Sequence, residues 1–262
     1  MGKFDKDSLG NRMKYNYEEV SKTRLTRRMP VIVRLDGKAF HTFTKGFKKP
    51  FDDILIESMQ NTMMYLCQNI QGCVLGYTQS DEITLVLVDY QTLKTDSWYD
   101  YEVQKLCSVS ASMATLEFNR QINDLYVKYY MDSDLTNLEE VKYYTSLIKS
   151  INKGAMFDSR CFNIPKEEVT NCVLWRQQDA TRNSIQMVGQ SQFSQKELDG
   201  KNCSEIQDML IEKGINWNDF PTYKKRGSCC IKKNGIWGID KNIPIFTGEG
   251  RKYIDDLVFV GE

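Results

Sequence analysis

Residues 83–88 read Ile-Thr-Leu-Val-Leu-Val, six positions with one polar side chain. A strand with one face in water alternates apolar and polar residues. This run does not, so it belongs inside a sheet covered on both faces. Residues 72–82 supply a second strand and a polar turn at Thr78 to Glu82 leading into it. Val31-Ile32-Val33-Arg34-Leu35 is a third β-branched run, ending in a turn at Asp36-Gly37. Residues 51–70 place Ile54, Leu55, Met59, Met63, Leu66 and Ile70 at three- and four-residue steps, which predicts an amphipathic helix. Residues 99–119 return to that spacing through Val103, Leu106, Ala111, Ala114 and Phe118. A fourth short strand at 157–164 is stopped by Pro165.

Strung together, these elements make β-α-β-β-α-β, the order of the ferredoxin-like split fold. The expected class is α+β, a two-layer α/β palm-like core with helical and C-terminal additions. Residues 1–165 form that core, with a polar N-terminal extension (helical near 9–20) and a surface helical excursion at 120–155. Residues 166–262 form a C-terminal helical and irregular region packing on the core. It opens with a helix at 166–190 and carries short strands near 228–231 and 236–239.

Composition narrows the function. Thirty-five basic and 35 acidic residues cancel, so a histone-like polycation is excluded, although a local basic groove is not. No run approaches eighteen apolar residues and the first residues lack a signal-peptide core, so a soluble cytoplasmic protein without membrane contact is expected. Eight cysteines without a C-x-x-C pair, beside a single histidine, give no zinc-site pattern. They read as reduced, mostly buried thiols.

Two acidic turns carry the chemistry: Asp36 after the first strand, and Asp81-Glu82 between the second and third. Aspartate in a turn is ordinary, because it bonds nearby backbone amides. The topology adds a second reading. Strands one and three of this fold are antiparallel neighbours, so Asp36 and Asp81 come to lie side by side. Carboxylates that close repel unless a cation sits between them. Mg²⁺ takes oxygen ligands and keeps substrate phosphates in its shell, and two such ions promote in-line displacement at phosphorus. Gly37 would let its carbonyl approach a metal. Polymerase palms and nucleotide cyclases share this arrangement. Lys38, His41, Lys45, Lys48 and Lys49 follow the first turn, and Lys105 and Ser108 lie on the second long helix. They are candidates for holding a triphosphate, or simply a solvated basic face with a packed histidine. No G-x-x-x-x-G-K-[ST] is present, which excludes a P-loop.

The segments Val31-Ile32-Val33-Arg34-Leu35-Asp36-Gly37-Lys38-Ala39-Phe40-His41 and Gly76-Tyr77-Thr78-Gln79-Ser80-Asp81-Glu82 resemble the tRNA-His guanylyltransferase family. So do Leu9 to Lys14, Phe157-Asp158-Ser159-Arg160, Trp175-Arg176-Gln177-Gln178-Asp179 and Pro221 to Gly227. The resemblance implies a palm core that adds nucleotides to the 5′ end of tRNA in the 3′–5′ direction. It implies two Mg²⁺ ions on Asp36, the Gly37 carbonyl and Asp81, with Glu82 as a neighbouring acidic group. It further implies ATP and GTP as substrates, bound by Lys38, Ala39, Phe40, His41, Lys49, Ser80 and Lys105. Arg160, Arg176, Asn183, Lys224, Lys225 and Arg226 are implied to contact tRNA, in a homotetramer.

Eukaryotic members continue past W-R-Q-x-D with C-H-I-N-N-L-Y-N, whereas here Ala180-Thr181-Arg182-Asn183-Ser184-Ile185-Gln186 follows and only Asn183 is retained. With the long 120–155 segment, this is similar to the bacterial and archaeal branch that repairs truncated tRNA 5′ ends on the opposite strand as template. Addition of one guanosine to tRNA-His is the alternative within the same chemistry. A non-catalytic RNA-binding palm and a cyclic-nucleotide synthase are the alternatives outside it.

Overall fold

A computed structural model describes residues 8–134 and 136–261. The elements run as follows: α1 (Leu9–Met13), β1 (Val31–Gly37), α2 (Phe40–Phe43), α3 (Asp53–Asn69), β2 (Cys73–Gln79), β3 (Glu82–Leu87), α4 (Val103–Met131) and α5 (Leu138–Lys153). Then come β4 (Phe157–Asn163), α6 (Lys166–Gln192), α7 (Gln195–Leu198), α8 (Cys203–Glu212), α9 (Thr222–Arg226), β5 (Ser228–Lys233), β6 (Ile236–Asp240) and α10 (Lys252–Val258). The expected α+β core is present as β1-α3-β2-β3-α4-β4. Its strands lie in the order β4-β1-β3-β2, and β5 and β6 extend the same antiparallel sheet beyond β2.

The apolar run in β3 is central, and all six of its residues are buried. One face of the sheet presents Val31, Val33, Leu35 and Leu85 to α3, α4 and α5. The other presents Ile32, Val86, Leu75 and Tyr77 to α6, α10 and the 243–246 segment. The C-terminal helices therefore add a third layer to the two-layer core. A satellite cluster of Ile185, Val188, Ile206, Leu210 and Trp217 joins the end of α6 to α8. Helix α3 starts where Asp52 accepts the Leu55 amide, an ordinary N-cap.

The 120–155 segment differs from a surface excursion. It completes α4 and adds α5, whose Tyr143, Tyr144 and Leu147 are buried in the main core. The helical stretch near 9–20 is present but exposed, with no buried residue in α1, while residues 1–7 lie outside the described part. All eight cysteines are free, three buried and five half-buried. Among the described residues, no helix is long and apolar enough to cross a membrane.

Candidate active site

Because β1 and β3 are antiparallel, the last residues of β1 meet the turn that opens β3. Asp36 is paired with Glu82 across the ladder, and the Gly37 amide donates to the Asp81 carbonyl at 3.1 Å. The turn itself is Ser80 and Asp81 alone, shorter than the sequence suggested, since Thr78 and Gln79 belong to β2 and Glu82 to β3. Ser80 adopts a φ of +50°, and its hydroxyl donates to Asp81 Oδ1 at 3.0 Å. Burial pushes the Asp81 carboxyl above its ordinary value. The Ser80 bond opposes that rise, and the nearby charge of Asp36 adds to it.

Among the described residues, no three histidine, cysteine or acidic groups converge into a protein-only metal cage. Two adjacent carboxylates beside a glycine instead fit Mg²⁺, which fills the rest of its shell with water and phosphate. The Gly37-to-Asp81 hydrogen bond brings the strand end bearing Asp36 against the turn bearing Asp81, and carboxylates set that close favour a cation between them. Gly37 also has a packing reason: a Cβ would fall 2.3 Å from the Phe40 ring. That ring is fixed by Phe43, Phe118 and Phe157, with centroids 5.1 to 5.5 Å away.

The turn borders a cleft of about 650 Å³ whose lining includes His41, Thr44, Lys49, Asp52 and Asp81, with Met187 contributed by α6. A neighbouring hollow shares Asp52, Leu55, Ser80 and Met187 and adds Asn183, Tyr223 and Lys224. The Ser80-Asp81 turn thus stands between two connected depressions. Lys49 is exposed on the cleft wall. His41 is exposed as well, its Nε2 3.0 Å from the Thr42 hydroxyl. Arg160 is half exposed on β4, 3.0 Å from Asp158 and 3.9 Å from Asp36.

Several expected groups are placed elsewhere. Lys105, with Ser108, lies near the start of α4. There the Val103 amide donates to Thr23 and the Val103 carbonyl accepts from Cys161, which pairs with Val33, three positions before Asp36. Lys38 and Ala39 face Lys153 to Met156 across a separate hollow, because Ala39 turns the chain with a φ of +54°. Phe40 borders the cleft but is 5% exposed and belongs to the aromatic core. Arg176 is 6% exposed, so it presents nothing to an RNA; its guanidinium holds the buried Glu82 at 2.9 Å. The three basic residues of α9 do not form a free patch. Lys224 pairs with Asp53 at 2.6 Å, Lys225 donates to the Asn218 carbonyl, and Arg226 is half-buried.

Asp52 and Met187 were missed. Asp52 had a signal, an acidic residue three positions before Leu55 at a helix start. Met187 shares a helical stripe with Asn183 on α6, but nothing in the sequence points that stripe at the turn.

The tRNAHis guanylyltransferase (Thg1) family model matches residues 10–165. A protein of Acanthamoeba polyphaga mimivirus is 30% identical over 88% of this chain and 78% of its own length. The tRNA(His) guanylyltransferase of Saccharomyces cerevisiae is 28% identical over 80% of this chain and 85% of its own. A bacterial tRNA(His) guanylyltransferase-like protein, solved in complex with ATP, superposes with a TM-score of 0.81. It shares 44% identity and covers 97% of this chain and 100% of the solved one. A bacterial protein of the same description in complex with GTP gives a TM-score of 0.77 at 40% identity, over 97% of this chain and 100% of the solved one.

Proposed function

The chain belongs to the tRNAHis guanylyltransferase family of nucleotidyltransferases, and from that premise we propose that it repairs tRNA 5′ ends by templated 3′–5′ nucleotide addition. The observation that carries the reading is the Gly37-to-Asp81 hydrogen bond. It sets the turn bearing one carboxylate against the strand end bearing the other, at the edge of a cleft with Lys49 on its wall.

In this reading the 3′-hydroxyl of an incoming nucleoside triphosphate attacks the 5′-terminal phosphate of the tRNA. A phosphodiester forms, and pyrophosphate leaves from a triphosphorylated end or AMP from an end first adenylylated by ATP. Asp36, the Gly37 carbonyl and Asp81 would hold two Mg²⁺ ions, which supply charge neutralisation at the phosphoryl oxygens and an activated attacking hydroxyl. Lys49 and His41 hold and orient the triphosphate, and positioning supplies much of the remaining rate. Ser80 keeps Asp81 oriented through its hydroxyl. Asn183 and Lys224, across the turn, line the hollow where the RNA end would lie, and the half-exposed Arg160 adds a cation beside Asp36. Glu82 serves as a strut rather than a metal ligand, since its carboxylate is turned to Arg176. A homotetramer and a cytoplasmic setting belong to the same reading; the eight free thiols suit a reducing compartment.

Repair is favoured over a dedicated tRNA-His activity because the segment after Asp179 lacks the histidine and tyrosine of the eukaryotic motif. The test supplies purified protein with Mg²⁺, labelled nucleoside triphosphates and tRNAs lacking the first 5′ nucleotide. These carry a mono- or triphosphate and each of the four bases opposite the gap. Addition of the complementary nucleotide to several tRNAs is the expected result. Guanosine added to tRNA-His alone would replace repair with the narrower activity, and no incorporation would return the binding-module and cyclase readings.

A further inference from the structure

Helix α5 is inserted between α4 and β4, and one stripe of it lies along the loop that carries Lys49. Glu140, Tyr143, Ser146 and Ser150 fall at steps of three, three and four, a single helical face. Glu140 Oε1 is 2.9 Å from Lys48 Nζ, and that ammonium sits 4.5 Å above the Tyr143 ring. Ser150 Oγ donates to the Phe43 carbonyl at 2.5 Å. Ser146 approaches Gly46 so closely that a Cβ there would lie 2.8 Å from the serine side chain. At its far end the loop is fixed to α3, because the buried Asp52 accepts the Lys48 amide at 3.0 Å and the Leu55 amide at 2.9 Å. Burial, with the Asp52 carboxylate next to its hydroxyl, drives the Tyr143 phenol far above its ordinary range and keeps it neutral.

The two adjacent lysines therefore have different fates. Both line the cleft, but Lys48 is drawn onto Glu140 of α5, whereas among the described residues Lys49 has no acidic partner. We propose that α5 is a positioning element for the nucleoside triphosphate, with Glu140 and Tyr143 holding residues 43–52 so that Lys49 meets the triphosphate. The proposal rests on the reading of this cleft as a nucleotide site. A partly exposed ion pair such as Lys48–Glu140 contributes little to stability, so the geometry it imposes is the part that matters.

The test uses the full chain with Mg²⁺, ATP or GTP, and a 5′-triphosphorylated truncated tRNA. Glu140→Gln and Tyr143→Phe are expected to raise KM for the nucleotide about 5- to 10-fold while kcat stays within about twofold, the pattern of lost uniform binding. Equilibrium dialysis with ATP and no tRNA should show the same loss. Lys49→Ala added to either variant should weaken binding less than it does alone, because both changes act on one contact. Glu140→Asp should recover part of the affinity. An unchanged KM in Glu140→Gln, with Lys49→Ala raising it, would overturn the role of α5 alone. A fall in kcat that tracks a lower melting temperature, with KM unmoved, would reduce α5 to a structural part and also overturn it. If Lys49→Ala itself leaves nucleotide binding intact, the reading of the cleft fails instead.

Discussion

Glu82 and Arg176 form a buried ion pair, Arg176 Nη1 to Glu82 Oε2 at 2.9 Å, with each side chain less than a tenth exposed. Glu82 follows Asp81 directly and pairs with Asp36 across the ladder. Arg176 lies on α6 two turns before Asn183, on the same stripe. The pair therefore registers α6, which borders both depressions, against the turn that stands between them. Asp179 at 3.1 Å and the Trp175 ring at 3.8 Å hold the guanidinium in place. Arg34 approaches the same carboxylate at 3.6 Å. The packing leaves Glu82 Oε1, Thr84 Oγ1 and the Nε atoms of Arg34 and Arg176 buried without a hydrogen-bond partner.

Breaking this pair from one side should be costly. Arg176→Met strands a buried carboxylate beside Asp36, and removing one member of a buried pair costs about 3–5 kcal/mol. Replacing both partners with apolar residues removes the desolvated charge along with its partner. Glu82→Leu with Arg176→Met should therefore recover most of the loss in urea denaturation. A single variant within about 1 kcal/mol of the parent would show that the guanidinium is not what stabilises Glu82.

The raised Asp81 carboxyl has a consequence for stability with a definite sign. Its folded value lies above its unfolded one, chiefly through burial. The folded state therefore binds the proton more tightly, and the ionised group opposes folding at neutral pH. That penalty is present above the raised value and disappears as pH falls through it toward the ordinary carboxylate range. Asp81→Asn should melt higher than the parent near neutrality when no metal is added. The gain should shrink as the pH is lowered, which a series of thermal melts would record.

Added Mg²⁺ should reverse that order. A cation bound to the native state alone raises the melting temperature by mass action, and the parent should gain with each increment of Mg²⁺. Asp36→Ala and Asp81→Ala should show no such gain and should lose nucleotide addition, while their far-ultraviolet circular dichroism stays that of the parent. A variant with near-parental rates would remove its carboxylate from the site.

The parts of this molecule legible in sequence were those governed by short-range pattern. β3 is apolar at nearly every position and proved to be the strand buried on both faces. The strand-ending Asp36 and the turn residue Asp81 were brought together by the topology that the element order implied. What failed was side-chain direction over longer distances. Arg176 and Lys105 each stand in helices whose register against the sheet is set by packing that no local pattern encodes. Arg176 turned inward to a carboxylate, and Lys105 stands outside the lining of the cleft that holds Lys49. The basic cluster at 224–226 was dispersed for a similar reason, each cation meeting a different neighbour. Residues 120–155 looked like surface because their tyrosines alternate with charges, yet Tyr143 and Tyr144 are core residues whose polar tips find partners.

That misplacement yields a direct comparison between two lysines. Lys49 stands on the cleft wall near the Ser80-Asp81 turn, and a lysine ammonium facing a phosphate makes a charge-assisted bond worth about 1.5–3 kcal/mol. Lys49→Ala should weaken ATP and GTP binding by roughly 10- to 100-fold. Lys105 is near the start of α4, 5.7 Å from the Tyr99 ring and outside the residues lining the cleft. The start of α4 packs on Cys161, which pairs with Val33, so at about 3.3 Å per residue it stands about 10 Å back along β1 from Asp36. Lys105→Ala should leave nucleotide affinity and turnover at parental values. Titration of both variants with each nucleotide decides the matter, and an equal loss in the two would place Lys105 in the triphosphate site of a neighbouring copy.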